Sequence, residues 1–152
     1  MKEKGYLCRA RPKKEPKLGK PYHVTDNKLD RDFQADKPME KLVTDITYLY
    51  FGNRRLYLSS IMDLYNREIV AYSISECQDT DFVLDTLHQL ELPQGALLHS
   101  DQGSVYTSKA YYQACTEKGI TRSMSRKGTP ADNACIEWFH SVLKSETFYL
   151  HK

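Results

Sequence analysis

An α/β layered domain built on a mixed five-stranded sheet with flanking helices is the architecture this sequence predicts. Three observations lead there. Strand-like runs rich in β-branched and aromatic residues follow one another between Lys41 and Ile74. After Thr80 the apolar period changes, and helical stripes alternate with short apolar runs. At 152 residues the chain fits one ordinary domain and leaves little room for two complete ones. A meander that then gives way to crossover units makes a sheet first antiparallel and then extended.

Lys41–Tyr50 (KLVTDITYLY) lacks glycine and proline and reads as a strand. Phe51–Arg55 is the expected hairpin turn, although Gly-Asn is a weaker signal than Asn-Gly. Leu56–Asp63 and Glu68–Ile74 are the next two strands, and Asp63 is expected to cap the turn between them. Phe82, Val83, Thr86, Leu87 and Leu90 form an apolar stripe at helical spacing over Thr80–Leu90. Ala96–Leu98 is a short, wholly apolar run of the kind buried on both faces. A helix over Ser108–Lys118 ends at Gly119, a C-cap residue, and Ile120–Met124 is the fifth strand. The last helix has the clearest start: Thr129 as N-cap, Pro130 at the first helical position, and Asp132 where a capping-box acid belongs.

Charge divides the chain unevenly. Residues 1–37 carry a net of +5, whereas residues 38–152 carry −3. The first twenty residues hold eight basic groups and two acids with few large apolar side chains, so they cannot bury enough surface to fold alone. Residues 1–37 are therefore expected to be a basic, poorly structured arm or linker, either solvated or meeting phosphate backbones. Residues 38–152 are the expected core.

Several function classes are set aside by composition. No apolar run approaches the roughly 20 residues needed to cross a bilayer, and the charged amino terminus is not a secretory signal. Cys8, Cys77, Cys115 and Cys135 are scattered without a Cys-x-x-Cys pair, so reduced thiols in a cytoplasm are the expectation, not a disulfide scaffold or structural zinc.

The carboxylates are the informative residues. Asp45 stands in mid-strand, where a charge is disfavoured unless paired or metal-bound. Asp101 follows the buried Ala96–Leu98 strand at its carboxyl end, the edge where α/β sheets place ligands. His99, just before it, is expected to point away. Glu137 lies two turns into the last helix. At 100° per residue, Asn133, His140, Ser141 and Lys144 share the Glu137 side, while Cys135, Trp138, Phe139, Val142 and Tyr149 lie opposite. The helix is expected to bury its aromatic side and to present Glu137 with Lys144. The bland reading of that pair is a solvated Glu–Lys face.

The stretches His99-Ser-Asp-Gln-Gly-Ser-Val-Tyr-Thr-Ser108 and Ser123-Met-Ser-Arg-Lys-Gly-Thr-Pro-Ala-Asp-Asn-Ala-Cys-Ile-Glu137 resemble the catalytic core of insertion-sequence transposases. The group resembled is the IS-three type, whose second reading frame carries an integrase-like domain. Thirty-five residues separate Asp101 from Glu137, the spacing of that family's acidic triad, and Thr44-Asp45-Ile46-Thr47 is similar to the segment around its first aspartate. The resemblance covers about residues 30–150. Leu42 stands where relatives commonly carry an aromatic residue. Family members also have an upstream helix-turn-helix region and continue well past the last helix, so the core is expected to be truncated after that helix, with the basic arm as a linker remnant.

The resemblance implies a ribonuclease H-like fold, an acidic triad of Asp45, Asp101 and Glu137, and DNA strand cleavage followed by 3′-hydroxyl strand transfer. Two Mg²⁺ or Mn²⁺ ions are implied, bridged by Asp45 with Asp101 and Glu137 completing one site each. Hard divalent cations want oxygen ligands, which three carboxylates supply. The nucleophile would be a water and then the freed 3′ hydroxyl. Lys144 matches a family position that contacts the DNA end. Arg126 and Lys127, in a short basic loop, are expected at DNA, as are Asn133 and His140, although a surface histidine is the safer reading of the latter. The implied partners are transposon ends and target DNA, further copies of the chain, and an upstream helix-turn-helix region or protein. The implied setting is a bacterial cytoplasm at the nucleoid. Two alternatives stand beside this reading: a ribonuclease H-like nuclease that cuts without joining, and an inactive DNA-binding or dimerising remnant. A glycosidase is a poor third, for no aromatic sugar platform accompanies the acids.

Overall fold

The computed structural model describes residues 23–147. The elements run β1 (Lys41–Phe51), β2 (Arg54–Asp63), β3 (Ile69–Ser75), α1 (Thr80–His88), β4 (Leu97–Ser100), α2 (Lys109–Glu117), β5 (Thr121–Met124) and α3 (Ala134–Thr147). The five strands form one sheet in the order β3-β2-β1-β4-β5. β1 pairs antiparallel with β2, and β2 with β3, whereas β4 is parallel to both β1 and β5. That is the mixed sheet expected from the sequence.

Local chemistry explains the boundaries. The β1–β2 turn is set by Gly52 at φ +56°, a left-handed conformation that suits glycine. Asp63 is buried and accepts from the Tyr65 and Met39 amides, so it caps the following turn as expected. Asp79, one residue before the expected start, is the N-cap of α1 and accepts from the Phe82 amide at 2.9 Å. Ser108 does the same for α2, and Gly119 at φ +66° follows that helix as its sequence position foretold. β4 reaches beyond Leu98 to Ser100 because its register with β5 continues through Ser123 and Met124.

Apolar side chains fill both faces of the sheet. On one face Leu42, Ile61, Leu98 and Met124 meet Phe82, Leu87 and Tyr111 from α1 and α2. On the other, Val43 and Met62 meet Ile136 of α3 and Leu29. Each such side chain contributes about 1.5–3 kcal/mol when fully buried.

Two expectations fail here. The basic arm was to run to residue 37, yet residues 23–37 lie against the core. Leu29 is 2% exposed, the Lys28 and Leu29 amides donate to Ser123 Oγ at 2.8 and 3.0 Å, and Arg31 pairs with Asp132. Composition missed this because the segment has few apolar side chains, yet Leu29, Phe33 and Ala35 pack on the α3-side core and two backbone amides bond to Ser123. Residues 1–22 of the expected arm, and Tyr149 on the helical wheel, lie outside the described residues. The second failure is the side of α3 that is buried. Asn133, Ile136 and His140 face the sheet, while Trp138 is 68% exposed. His140 can go inside because Ser60 Oγ meets its Nε2 at 2.7 Å, which satisfies the polar ring. Apolarity alone scored this ring as surface.

Candidate active site

Parallel register places the first two acids. Val43 of β1 is paired with His99 of β4, and each aspartate lies two residues further along its strand direction. Side chains two apart on a strand share a face, so Asp45 and Asp101 stand side by side at the carboxyl edge, on the face that α3 covers. His99 shares that face and does not turn away from it as expected. Its ring is buried, with Nδ1 2.8 Å from Ser123 Oγ and Nε2 3.0 Å from Ser125 Oγ. Burial lowers its pKa to about 4, against a smaller opposing pull from Asp132, so the ring is neutral at neutral pH.

Glu137, on the exposed flank of α3, shares a cleft with each aspartate separately. It lines one cleft with Asp45, Thr47, His140, Ser141 and Lys144. It lines a second with Asp101, Gln102, Ser125, Lys127 and Asn133. Partial burial raises the Glu137 pKa, and the charges of Asp45 and Asp101 add to that against an opposing pull from His140. Asp101 is likewise raised by burial and by Asp45, with the Gly103 amide pulling the other way. The acids feel one another, as like charges at one site must. Among the described residues, no three Asp, Glu, His or Cys side chains are grouped closely enough to hold a metal ion as they stand.

Asp101 is held by its own loop. Its Oδ1 accepts from the Gly103 amide at 2.7 Å. A Cβ at residue 103 would lie 2.8 Å from that oxygen, closer than real contacts allow. Any side chain at residue 103 would make the Asp101 carboxylate turn aside.

The expected DNA-contacting residues divide. Lys144 lines the Asp45–Glu137 cleft, with its ammonium 4.4 Å above the Tyr48 ring; partial burial lowers its pKa, opposed by Asp45. Lys127 is exposed on the rim of the other cleft, and among the described residues no ion pair engages it. Arg126 is also exposed, yet its guanidinium is tied to Asp132 at 2.7–2.9 Å and lies 3.6 Å from Asp30. Asn133 and His140 are not presented on the surface as the wheel implied. Asn133 is 2% exposed and donates to the Thr44 carbonyl at 3.3 Å, and His140 Nδ1 lies 3.6 Å from Asp45 Oδ2.

Asp132 is the residue whose role was misread. It stands within a short 3-10 turn (Pro130–Asn133) that precedes α3, and Thr129 makes no side-chain cap there. Its buried carboxylate accepts from the Arg126 amide and guanidinium and from Arg31. Arg126 above all holds the Asp132 pKa far below the usual carboxylate range. The signal was present in the sequence as an acid six residues beyond an arginine, but nothing local distinguished a clamp from a cap.

The integrase core domain family matches residues 35–130. The chain belongs to that family. The match takes in Asp45 and Asp101 and ends before Glu137. The chain is 46% identical over 128 residues to transposase InsK of insertion sequence IS150 from Escherichia coli K12, covering 82% of this chain and 45% of that protein. It is 39% identical to the transposase of insertion sequence IS904 from Lactococcus lactis, covering 79% and 49%. It is 34% identical to transposase InsF of the IS3 element in Escherichia coli K12, covering 83% and 45%. The integrase core thus spans about half the length of these relatives. The motif resemblance to the IS-three group is shown by them. Among solved structures, the HTLV-2 integrase catalytic core domain in complex with magnesium superposes with a TM-score of 0.59 at 16% identity, over 71% of this chain and 69% of that one. A chain of the simian T-cell lymphotropic virus intasome gives 0.65 at 19% identity, over 74% and 41%. The fold is ribonuclease H-like.

Proposed function

We propose that this integrase core is the catalytic part of a DNA transposase, cutting a strand and joining the freed 3′ hydroxyl to target DNA. One observation supports the reading: Asp45 of β1 and Asp101, just past the end of β4, are near enough for their charges to interact, and Glu137 of α3 lines a cleft with each of them. The donor set fits Mg²⁺ or Mn²⁺, because three carboxylates offer hard oxygens and their mutual repulsion is relieved by a divalent charge. Asp45, Asp101 and Glu137 are the residues that would hold two such ions. Bound there, the ions would neutralise charge building on the phosphate oxygens and activate the attacking oxygen.

The chain's own side chains do the rest. Lys144 and Lys127, one on each cleft, offer point charges to phosphates on either side of Glu137. Asp132 holds Arg126 and the start of α3, which fixes where Glu137 emerges. His140 and Ser60 support Asp45 from behind. The working assembly in this reading contains several copies of the chain, transposon ends and target DNA, at the bacterial nucleoid, with sequence choice left to an upstream helix-turn-helix region. The net positive charge of residues 1–22 suits phosphate backbones. No helix among the described residues is long and apolar enough to cross a membrane.

The deciding experiment is a Mn²⁺-dependent strand-transfer assay on paired-end DNA, comparing the native sequence with Asp45→Asn. Joined products that vanish in Asp45→Asn support the reading. Cleavage without joining would replace it with a simple nuclease, and no metal-dependent cutting by either protein would overturn it.

A further inference from the structure

The β1–β2 ribbon leaves the core with an unusual surface. β4 pairs with β1 only from Lys41 to Val43, so β1 runs on past its parallel neighbour with β2 alone beside it. In that stretch Tyr48 is opposite Tyr57 and Tyr50 opposite Arg55, which puts four side chains on one face of the ribbon. Tyr48 and Tyr50 are 49% and 57% exposed, although rings of that size are normally covered. Arg55 lies 5.2 Å from the Tyr57 ring centre, and Tyr48 and Tyr50 meet edge to face at 5.4 Å. From Ile46 to Met62 the chain holds two arginines and no acid, within a core whose net charge is negative. By alternation the strip lies on the face of β1 opposite Asp45, and Lys144 joins the two across the strand edge that β4 leaves open: its ammonium sits over Tyr48 while its side chain lines the cleft of Asp45 and Glu137.

We infer that this strip is a track for an unpaired DNA strand running from the carboxylate site. Tyr48 and Tyr50 stack on its bases, and Arg55 and Lys144 meet its phosphates. The inference rests on the reading of Asp45, Asp101 and Glu137 as a DNA-processing site. Exposed aromatic faces interleaved with cations are the chemistry of single-strand binding, since every base has a π-face and every nucleotide a charge. A closed duplex stacks its bases on one another and would leave the tyrosine faces without a partner. Residues two apart on a strand are about 6.8 Å apart, close to two base steps of a DNA strand at about 3.4 Å each. A protein partner would also favour tyrosine and arginine, but an acid-free ribbon beside a phosphate-processing site favours a polyanion.

The test compares binding of the full chain to two labelled DNAs without divalent ions, one blunt-ended and one bearing an unpaired 3′ tail. The native sequence should bind the tailed DNA more tightly. The double variant Tyr48→Ala, Tyr50→Ala should lose about tenfold or more on the tailed DNA and little on the blunt one. Tyr48→Phe with Tyr50→Phe should restore the preference, since the rings stack without their hydroxyls. Arg55→Ala should lower the slope of log affinity against log salt by about one unit. Equal affinity of the native chain for both DNAs would overturn the inference. So would an alanine pair that binds like the native chain, or one that changes only the oligomeric state in sedimentation, which would make the strip a protein interface. Asp45→Asn separates the two readings: it should leave the tail preference intact while it ends Mn²⁺-dependent cutting.

Discussion

His140 and Asp45 face each other across 3.6 Å, and the other ring nitrogen of His140 lies 2.7 Å from Ser60 Oγ. A hydroxyl both donates and accepts, so Ser60 can pair with Nε2 whichever ring nitrogen carries the proton. The distance to Asp45 makes that pair an electrostatic contact, not a hydrogen bond. Ser60→Ala would leave Nε2 buried without a partner. It should cost about 1–3 kcal/mol in urea unfolding, whereas an unchanged midpoint would show that the ring does not depend on the serine.

Glu137 and Lys144 share a cleft and should part ways under mutation. Glu137→Gln removes a charged oxygen ligand and should abolish strand transfer while leaving DNA binding nearly intact. Lys144→Ala should keep Mn²⁺ binding and lower the salt slope of DNA binding by about one unit. A surface pair worth under ~1 kcal/mol would leave both variants near normal, and strand transfer by Glu137→Gln would end the triad assignment.

Arg126 and Lys127 are sequence neighbours with different expected readouts. Because Asp132 already engages the Arg126 guanidinium, Arg126→Ala should loosen the start of α3, seen as faster amide exchange at Ala134–Glu137. Lys127→Ala should leave exchange unchanged and reduce the salt dependence of DNA binding by about one unit of slope. Equal effects of the two on exchange would remove the clamp from the account.

His99 gives stability a direction with pH. Its pKa is near 4 in the fold against 6.5 for the free side chain, so between those values the unfolded chain binds the extra proton and the folded chain does not. The contribution is therefore fully present above pH 6.5 and is lost as pH falls toward 4. It should remove on the order of 2 kcal/mol by about pH 5. Urea midpoints measured across that range check this, and a flat profile would place the ring in contact with water.

The sheet and the neighbourhood of the three proposed acids were legible because they rest on periodic patterns and spacing. β1 declares itself through its β-branched run, and Asp101 through the buried strand before it. The spacing to Glu137 then brought a known family into view. What failed was finer. The wheel of α3 weighed residues by apolarity, so it buried Trp138 and exposed His140, when a single hydroxyl on β2 reverses that choice. Asp132 was read as a cap because its partners, Arg126 and Arg31, come together only once the fold has formed, one of them 101 residues distant. The 23–37 segment looked like a tail for the same reason.

That segment also has a bearing on the order in which the chain assembles. Its anchors to Ser123 and Asp132 close loops of 94 to 101 residues. They cannot form until β5 and the turn before α3 exist to receive them. Loop closure of that length is slow and comes late, and contacts made late through few buried bonds are the first to open in a folded protein. Release of the strap would free the start of the helix that carries Glu137 before any strand of the sheet gives way.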